Sequence, residues 1–266
     1  MYYKTSDGKQ LYYELHGNEQ ASNCIVFLNG LSQSTVAWYS MLSDFVDDYR
    51  VVLLDLIFQG QSDKSGEVRD FDKHAADVHE LIDSLNIKKV TIAGISYGSL
   101  VAQHFALNYP QQLHKLILLS TFAHKTPYYD AIELAWHNAL DAGGYPLMFD
   151  VMLPMVLSEN YFEHPLIPMD KLRATKQSHN TDTASLKKLM IATRDRGDYR
   201  EKLKAIQTPT LVIQGEKDAL FPVHIGKAVS DAIQGSRLEV IPNAGHTLNL
   251  EAIPQTVRLI KEFTGK

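Results

Sequence analysis

The stretch VTIAGISYGSLVAQ, residues 90–103, places a serine between two glycines, where an apolar β-type run gives way to a helical pattern. In G-x-S-x-G at a strand-to-helix elbow, the central residue takes a strained backbone conformation that lifts its side chain clear of the sheet. Small neighbours at Gly94 and Gly98 let the helix approach the strand closely. Ser96 would then stand at a helix N-terminus, where free amides and the helix dipole favour negative charge. That is the setting of an exposed nucleophile. A Gly-Ser-Gly run also makes an ordinary tight turn, so the reading depends on the strand before it and the helix after it.

A serine hydroxyl attacks only when a neighbouring base takes its proton, so the same reading requires a histidine and a carboxylate that orients it. Asp218 follows the apolar run of TLVIQGEKDALFP and precedes a helical stretch; His246 lies in the loop after the strand-like part of RLEVIPNAGHTLNLE. The chain order Ser, Asp, His is the one expected for a serine at a strand-to-helix elbow. Asp218 can instead cap a helix or pair within its loop, and Glu216 is the nearest competitor for its role. The chain has 11 histidines, and His74, His79 and His104 fall on expected helices, where surface or packing roles are the simpler reading. The oxyanion of such a reaction needs two amide donors. One is the N–H of Tyr97, immediately after the serine; the other belongs to the loop after CIVFLNGLSQST, at Leu31, although the Gly30 turn can be only a bend.

The elements that must hold these residues are legible in the hydrophobic pattern. YYKTS and LYYEL flank the turn residues DGK and read as a hairpin. From Cys24 on, the runs CIVFLNG, RVVLLDL, KKVTIAGIS, HKLILLS, TPTLVIQG and RLEVIPNAG alternate with helical spacing over residues 34–49, 70–86, 97–109, 222–234 and 251–263. Near-continuous Val/Ile/Leu runs suit central strands covered by helices on both faces. The expected fold class is therefore α/β, a doubly wound, mostly parallel sheet. Residues 122–204 break the alternation with helix-like material too long for a simple crossover. They hold five of the seven methionines together with Trp136, Tyr145, Phe149, Tyr161 and Phe162. This segment reads as an inserted helical cap on a core of residues 1–121 and 205–266, its Met and aromatic side chains either lining a lid or filling an irregular core.

Composition excludes several classes of function. With 26 basic against 31 acidic residues the 266-residue chain has a net charge of −5, and no basic block interleaved with aromatics stands out, so nucleic acid is not an expected partner. The N-terminus lacks an apolar signal region, and no apolar run approaches the roughly 18 residues of a membrane helix. A cytoplasmic protein without a membrane span is expected. The lone cysteine, Cys24, lies in a buried-strand pattern and reads as packing. No metal or organic cofactor is implied: His74 and His79 in HAADVH are five apart, a poor spacing for one helix face, and no H-E-x-x-H run occurs.

Taken together, NGL, GISYG, GEKD and NAGH resemble the α/β-hydrolase superfamily over essentially the whole chain, cap insertion included. The resemblance implies Ser96 as nucleophile, His246 as general base, Asp218 as its orienter, and Leu31 and Tyr97 as oxyanion donors. It sets aside the branches with an aspartate nucleophile, because the elbow holds Ser96. Many members carry His-Gly before the oxyanion loop and D-x-x-G-x-G-x-S after the next strand; here the sequences are Asn29-Gly30 and DLIFQGQSD. These two features, and RDRGDY at residues 194–199, are similar to the 3-hydroxyacyl-carrier-protein transacylases and the rhamnolipid-precursor synthase. The principal expectation is a serine hydrolase of a carboxylic ester or thioester with an apolar acyl group. An acyltransferase on hydroxyacyl carrier-protein or CoA thioesters is the alternative, with Lys171, Arg173, Lys187 and Lys188 as candidate contacts for a carrier protein or as a solvated helix face. A slow-turnover ligand sensor on the same scaffold is a third reading.

Overall fold

The computed structural model describes residues 1–19, 21, 23–178 and 182–265. The strands are β1 (Tyr2–Lys4), β2 (Gln10–Gly17), β3 (Cys24–Leu28), β4 (Arg50–Leu54), β5 (Val90–Ile95), β6 (Leu113–Leu119), β7 (Thr210–Gly215) and β8 (Arg237–Ile241). They form one eight-stranded sheet in the order β1-β2-β4-β3-β5-β6-β7-β8. The expected hairpin is β1 on β2, antiparallel, and β2 is also antiparallel to β4. Every pairing from β4 to β8 is parallel. The reading as a doubly wound, mostly parallel α/β sheet holds.

The helices are α1 (Tyr39–Leu42), α2 (Phe71–Ser84), α3 (Tyr97–Asn108), α4 (Pro127–Val156), α5 (Glu159–Glu163), α6 (Met169–Ser178), α7 (Thr183–Asp195), α8 (Arg200–Leu203), α9 (Val223–Ala232), α10 (Leu248–Glu251) and α11 (Ile253–Thr264). Strand side chains alternate between the two faces. Val26 and Leu28 of β3 join a core with α2, α3 and α9, whereas Ile25 and Phe27 join Trp38, Phe45 and α11 on the opposite face. Local chemistry starts the helices: Asp70 accepts from the Lys73 amide at 2.8 Å to cap α2, and Pro254 lies in the first turn of α11.

One element differs from expectation. Residues 34–49 form a 3₁₀ turn at Thr35–Trp38, the four-residue α1 and then turns, not one crossover helix. Trp38, Met41, Phe45 and Tyr49 are buried at helix-like spacing, but Ser40, Ser43, Asp44, Asp47 and Asp48 are poor helix formers and the segment holds only one short α-turn. Between β6 and β7, all five assigned elements are helices, α4 to α8; residues 179–181 of the expected cap lie outside the described residues. Among the described residues no helix is long and apolar enough to cross a membrane.

Because β3, β5 and β7 run parallel, the segments that follow them emerge at one edge of the sheet, together with the loop after β8. The carboxyl ends of such strands are where α/β sheets gather ligand-binding loops.

Candidate active site

Ser96 joins β5 to α3 with φ 51° and ψ −115°, a conformation that L-residues rarely adopt and that the elbow imposes. The surroundings hold it there. Its amide donates to Leu119 of β6 at 3.0 Å, and its carbonyl accepts from the amide and hydroxyl of Ser99 at 2.9 and 2.6 Å. A Cβ on Gly98 would stand closer than 3.0 Å to the carbonyl oxygens of Leu28 and Asn29, so α3 can pack against the end of β3 only with glycine there.

Asp218 lies just beyond β7 and is 3% exposed. Its Oδ1 accepts from the amides of Leu220 and Phe221 at 3.0 and 2.8 Å; its Oδ2 accepts from Gln214 Nε2 at 3.1 Å and meets His246 Nδ1 at 2.8 Å. This arrangement directs one carboxylate oxygen at the imidazole and leaves Nε2 as the ring's other nitrogen. Glu216, the competing carboxylate, is exposed and accepts from the Asn243 amide instead. The His246 carbonyl accepts from Ser120 Oγ at 2.6 Å, and the His246 amide donates to Val156 at the end of α4 at 3.2 Å. Ser96 and His246 line the same cavity, and no hydrogen bond joins their side chains. Such contacts are commonly loose without substrate.

Leu31 and Tyr97 border that cavity too, and neither amide has an acceptor among the described residues. Asn29, the departure from His-Gly, is fully buried and bonded at each end. Its Nδ2 donates to the Leu54 carbonyl at 2.9 Å and to Asp55 Oδ1 at 3.1 Å, while Oδ1 accepts from Trp38 Nε1 at 2.9 Å. Gln59 Nε2 donates to the Gly30 carbonyl at 2.8 Å, and the Gly30 amide donates to Gln33 Oε1 at 3.0 Å. Burial pushes the Asp55 carboxyl upward, opposed by bonds from the Gln61 and Thr35 amides and from Asn29. The loop before Leu31 is therefore fixed by a polar network in which an asparagine suffices. Gln33, Gln59 and Gln214 were not singled out by sequence: Gln33 and Gln59 reach loops distant in the chain, and Gln214, inside β7, reads as one polar residue in an apolar strand.

The cavity is apolar apart from the end near Ser96. Its upper wall is Tyr129, Trp136, Phe149, Met152, Leu153 and Val156 of α4, with Leu172 of α6 and Thr193 of α7. Of the five methionines noted in this segment, only Met152 borders the cavity; Met148 and Met190 are buried in the core. The RDRGDY segment has a packing role: Arg196 donates to Gln103 Oε1 at 2.6 Å and to the Ala123 carbonyl at 3.2 Å, with its guanidinium over the Tyr199 ring. The candidate carrier contacts engage their own chain. Arg173 pairs with Asp150, Lys187 with Asp141, and Lys188 donates to the Gly66 carbonyl. His74 and His104 are buried, as packing residues would be, and burial pushes the Cys24 thiol up to about 12. Among the described residues no group of three or more His, Cys, Asp or Glu side chains is placed to hold a metal ion.

Comparison with known proteins agrees with this architecture. The family model described as alpha/beta hydrolase fold matches residues 23–253. A curated relative, 3-oxoadipate enol-lactonase 1 of Acinetobacter baylyi, is 26% identical, with 97% of this chain and 93% of the relative covered. Among solved structures, MGS-M2, an alpha/beta hydrolase enzyme from a Medee basin deep-sea metagenome library, superposes with a TM-score of 0.91 at 26% identity, covering 100% of this chain and 98% of that one. A thermophilic esterase from Thermogutta terrifontis gives a TM-score of 0.87 at 25% identity, covering 100% and 97%.

Proposed function

Since the chain belongs to the α/β-hydrolase family, and is a hydrolase by that kinship, we propose that it cleaves a carboxylic ester or thioester with an apolar acyl group by way of a serine acyl-enzyme. The observation that carries the proposal is a strained Ser96 facing the same cavity as a His246 imidazole whose Nδ1 is 2.8 Å from a buried carboxylate. In this reading Ser96 Oγ attacks the acyl carbonyl while His246 Nε2 takes its proton and then passes it to the leaving group. Asp218 holds the Nδ1–H tautomer and stabilises the imidazolium. The amides of Leu31 and Tyr97 receive the developing oxyanion. Water, deprotonated by the same imidazole, releases the acid. Residues 122–204 act as the cap, and their apolar wall receives the acyl chain.

The reading is tested by intact-mass spectrometry during turnover of p-nitrophenyl esters and acyl thioesters. The wild type is expected to carry the acyl mass on Ser96 and to release free acid; Ser96→Ala is expected to do neither. Undiminished turnover by Ser96→Ala would refute it.

A further inference from the structure

Glu251 ends α10, five residues after His246, and most of its carboxylate is buried. Its Oε2 accepts from the Ser158 amide at 2.9 Å and the Gly245 amide at 3.2 Å; its Oε1 accepts from the Thr247 amide at 3.3 Å. Among the described residues no cation pairs with it. Gly245 and Thr247 are the two neighbours of His246, and Ser158 caps α5, in the helical segment above the cavity. The same junction is stitched a second time. Val156, the last residue of α4, accepts from the amides of His246 and Thr247 and from Thr247 Oγ1 at 3.1 to 3.2 Å. These three amides, and the Ser158 hydroxyl that also bonds the carboxylate, are donors here, so both oxygens must accept. A carboxylate meets that demand, whereas a side-chain amide would set N–H against N–H. A Cβ on Gly245 would stand closer than 3.0 Å to both Ser158 N and Glu251 Oε1, which shows how tightly the junction is drawn.

We propose that Glu251 is a positioning residue for His246: it ties both flanks of the histidine loop to the start of α5, so that the seating of the upper helices over a bound acyl group sets the imidazole. This rests on the reading of His246 as general base. Substrate that fills the cavity touches Met152, Leu153 and Val156, the last two turns of α4, and Val156 bonds directly to the histidine loop.

The test compares wild type, Glu251→Gln, and the pair Ser158→Pro and Ser158→Ala. Ser158 has φ −73° and is preceded by Leu157 at φ −115° and ψ 142°, so proline fits the backbone and removes the amide. Ser158→Ala loses the hydroxyl, with its cap on α5 and its bond to Glu251, but keeps the amide, and is the reference. Readouts are kcat and KM on a p-nitrophenyl ester, the melting temperature, and the downfield proton resonance of the His246–Asp218 bond. Glu251→Gln is expected to lower kcat about tenfold or more, with KM little changed and the resonance shifted or broadened. Ser158→Pro is expected to fall below Ser158→Ala in kcat. If Glu251→Gln does not fold, the Ser158 pair decides alone. Wild-type kcat and resonance in a folded Glu251→Gln, or equal kcat in the Ser158 pair, would overturn the inference. Retained turnover in His246→Ala would instead remove the reading beneath it.

Discussion

The sheet edge that carries Ser96 and the helical segment above it are held by different kinds of contact. At the edge, backbone touches backbone. A Cβ on Gly98 would crowd the carbonyls of Leu28 and Asn29, and one on Gly215, at the end of β7, would crowd those of Gly245 and Ala244 beside His246. Above, α4 breaks at Gly143 and Gly144, carries Pro146 and Pro154 within its span, and meets the cavity through aromatic and aliphatic side chains. Contacts between backbones admit almost no variation, whereas apolar side chains of similar volume exchange at small cost. On the proposed reading, the difference teaches that attack geometry would be built into the fold, while selection of the acyl group would lie in a segment that can be repacked.

The largest effect expected from breaking the lower region is chemical. Asp218→Asn keeps the shape but gives the imidazole a partner compatible with the wrong tautomer, so kcat is expected to fall on the order of 10⁴-fold. Steady-state kinetics on the ester identified by mass spectrometry measures it, and a loss smaller than tenfold would detach Asp218 from the site. The next effect is on stability. Gly98→Ala forces α3 away from β3 and is expected to cost about 3 kcal/mol in urea unfolding. Gly144→Ala, in the upper region, has no neighbour nearer than 3.7 Å, but φ 65° and ψ −162° lie where almost only glycine is found, so a cost of about 2 kcal/mol from backbone strain alone is expected. Equal costs at the two glycines would erase the contrast between the regions.

The lower region also buries an imidazole, and this makes it sensitive to acid. His74 of α2 is fully buried, packed edge-on against Tyr97, and among the described residues neither ring nitrogen has a partner. Burial, with the positive charge of Arg69 acting in the same direction, lowers its pKa to about 3. The unfolded chain then binds a proton near pH 6.5 that the folded chain refuses, so stability present above that pH is lost progressively as the pH falls toward 3. Between pH 7 and pH 5 this one group accounts for a loss of roughly 2 kcal/mol. His104, lowered to about 4 by burial and Arg196, adds a slope of the same sign, and Asp77, raised to about 6 by burial, one of opposite sign. His74→Leu is expected to flatten the decline in stability by that amount in urea titrations at the two pH values. An unchanged slope would show that the imidazole is hydrated.

How much of this was legible depends on whether the signal was local. Ser96 could be read because strand, glycines and helix follow one another within fourteen residues. The structure brings Asp218 and His246 together because both follow apolar strand runs that parallel pairing carries to one edge. Residues 34–49 misled, since the apolar spacing of Trp38, Met41, Phe45 and Tyr49 is met as well by a 3₁₀ turn, a four-residue helix and turns as by one helix. Glu251 passed as the start of an expected helix at 251–263. Three of its partners are backbone amides, which have no residue type to read. Asn29 was legible as a departure from the familiar pattern, but its three bonds to Leu54, Asp55 and Trp38 emerge only when the loops are in place.

The smallest effect expected is the one that most sharpens the division between the regions. Phe149 lines the cavity on α4, beside the Tyr145 ring at 5.9 Å, and is almost fully buried. It lies two turns before Val156, which bonds the histidine loop, so it touches the cavity without sharing that tie. Phe149→Ala removes volume where the proposed acyl chain would end. The ratio of kcat/KM for longer over shorter acyl esters is then expected to rise about tenfold, since a buried methylene is worth that order of discrimination. The rate of fluorophosphonate labelling of Ser96 should stay at the wild-type value, because nothing at the elbow has moved. A uniform fall across all chain lengths, with slower labelling, would mean that the middle of α4 also sets the attack geometry. Selection and chemistry would then share one structure, and the contrast between a fixed edge and a repackable segment would hold only for stability.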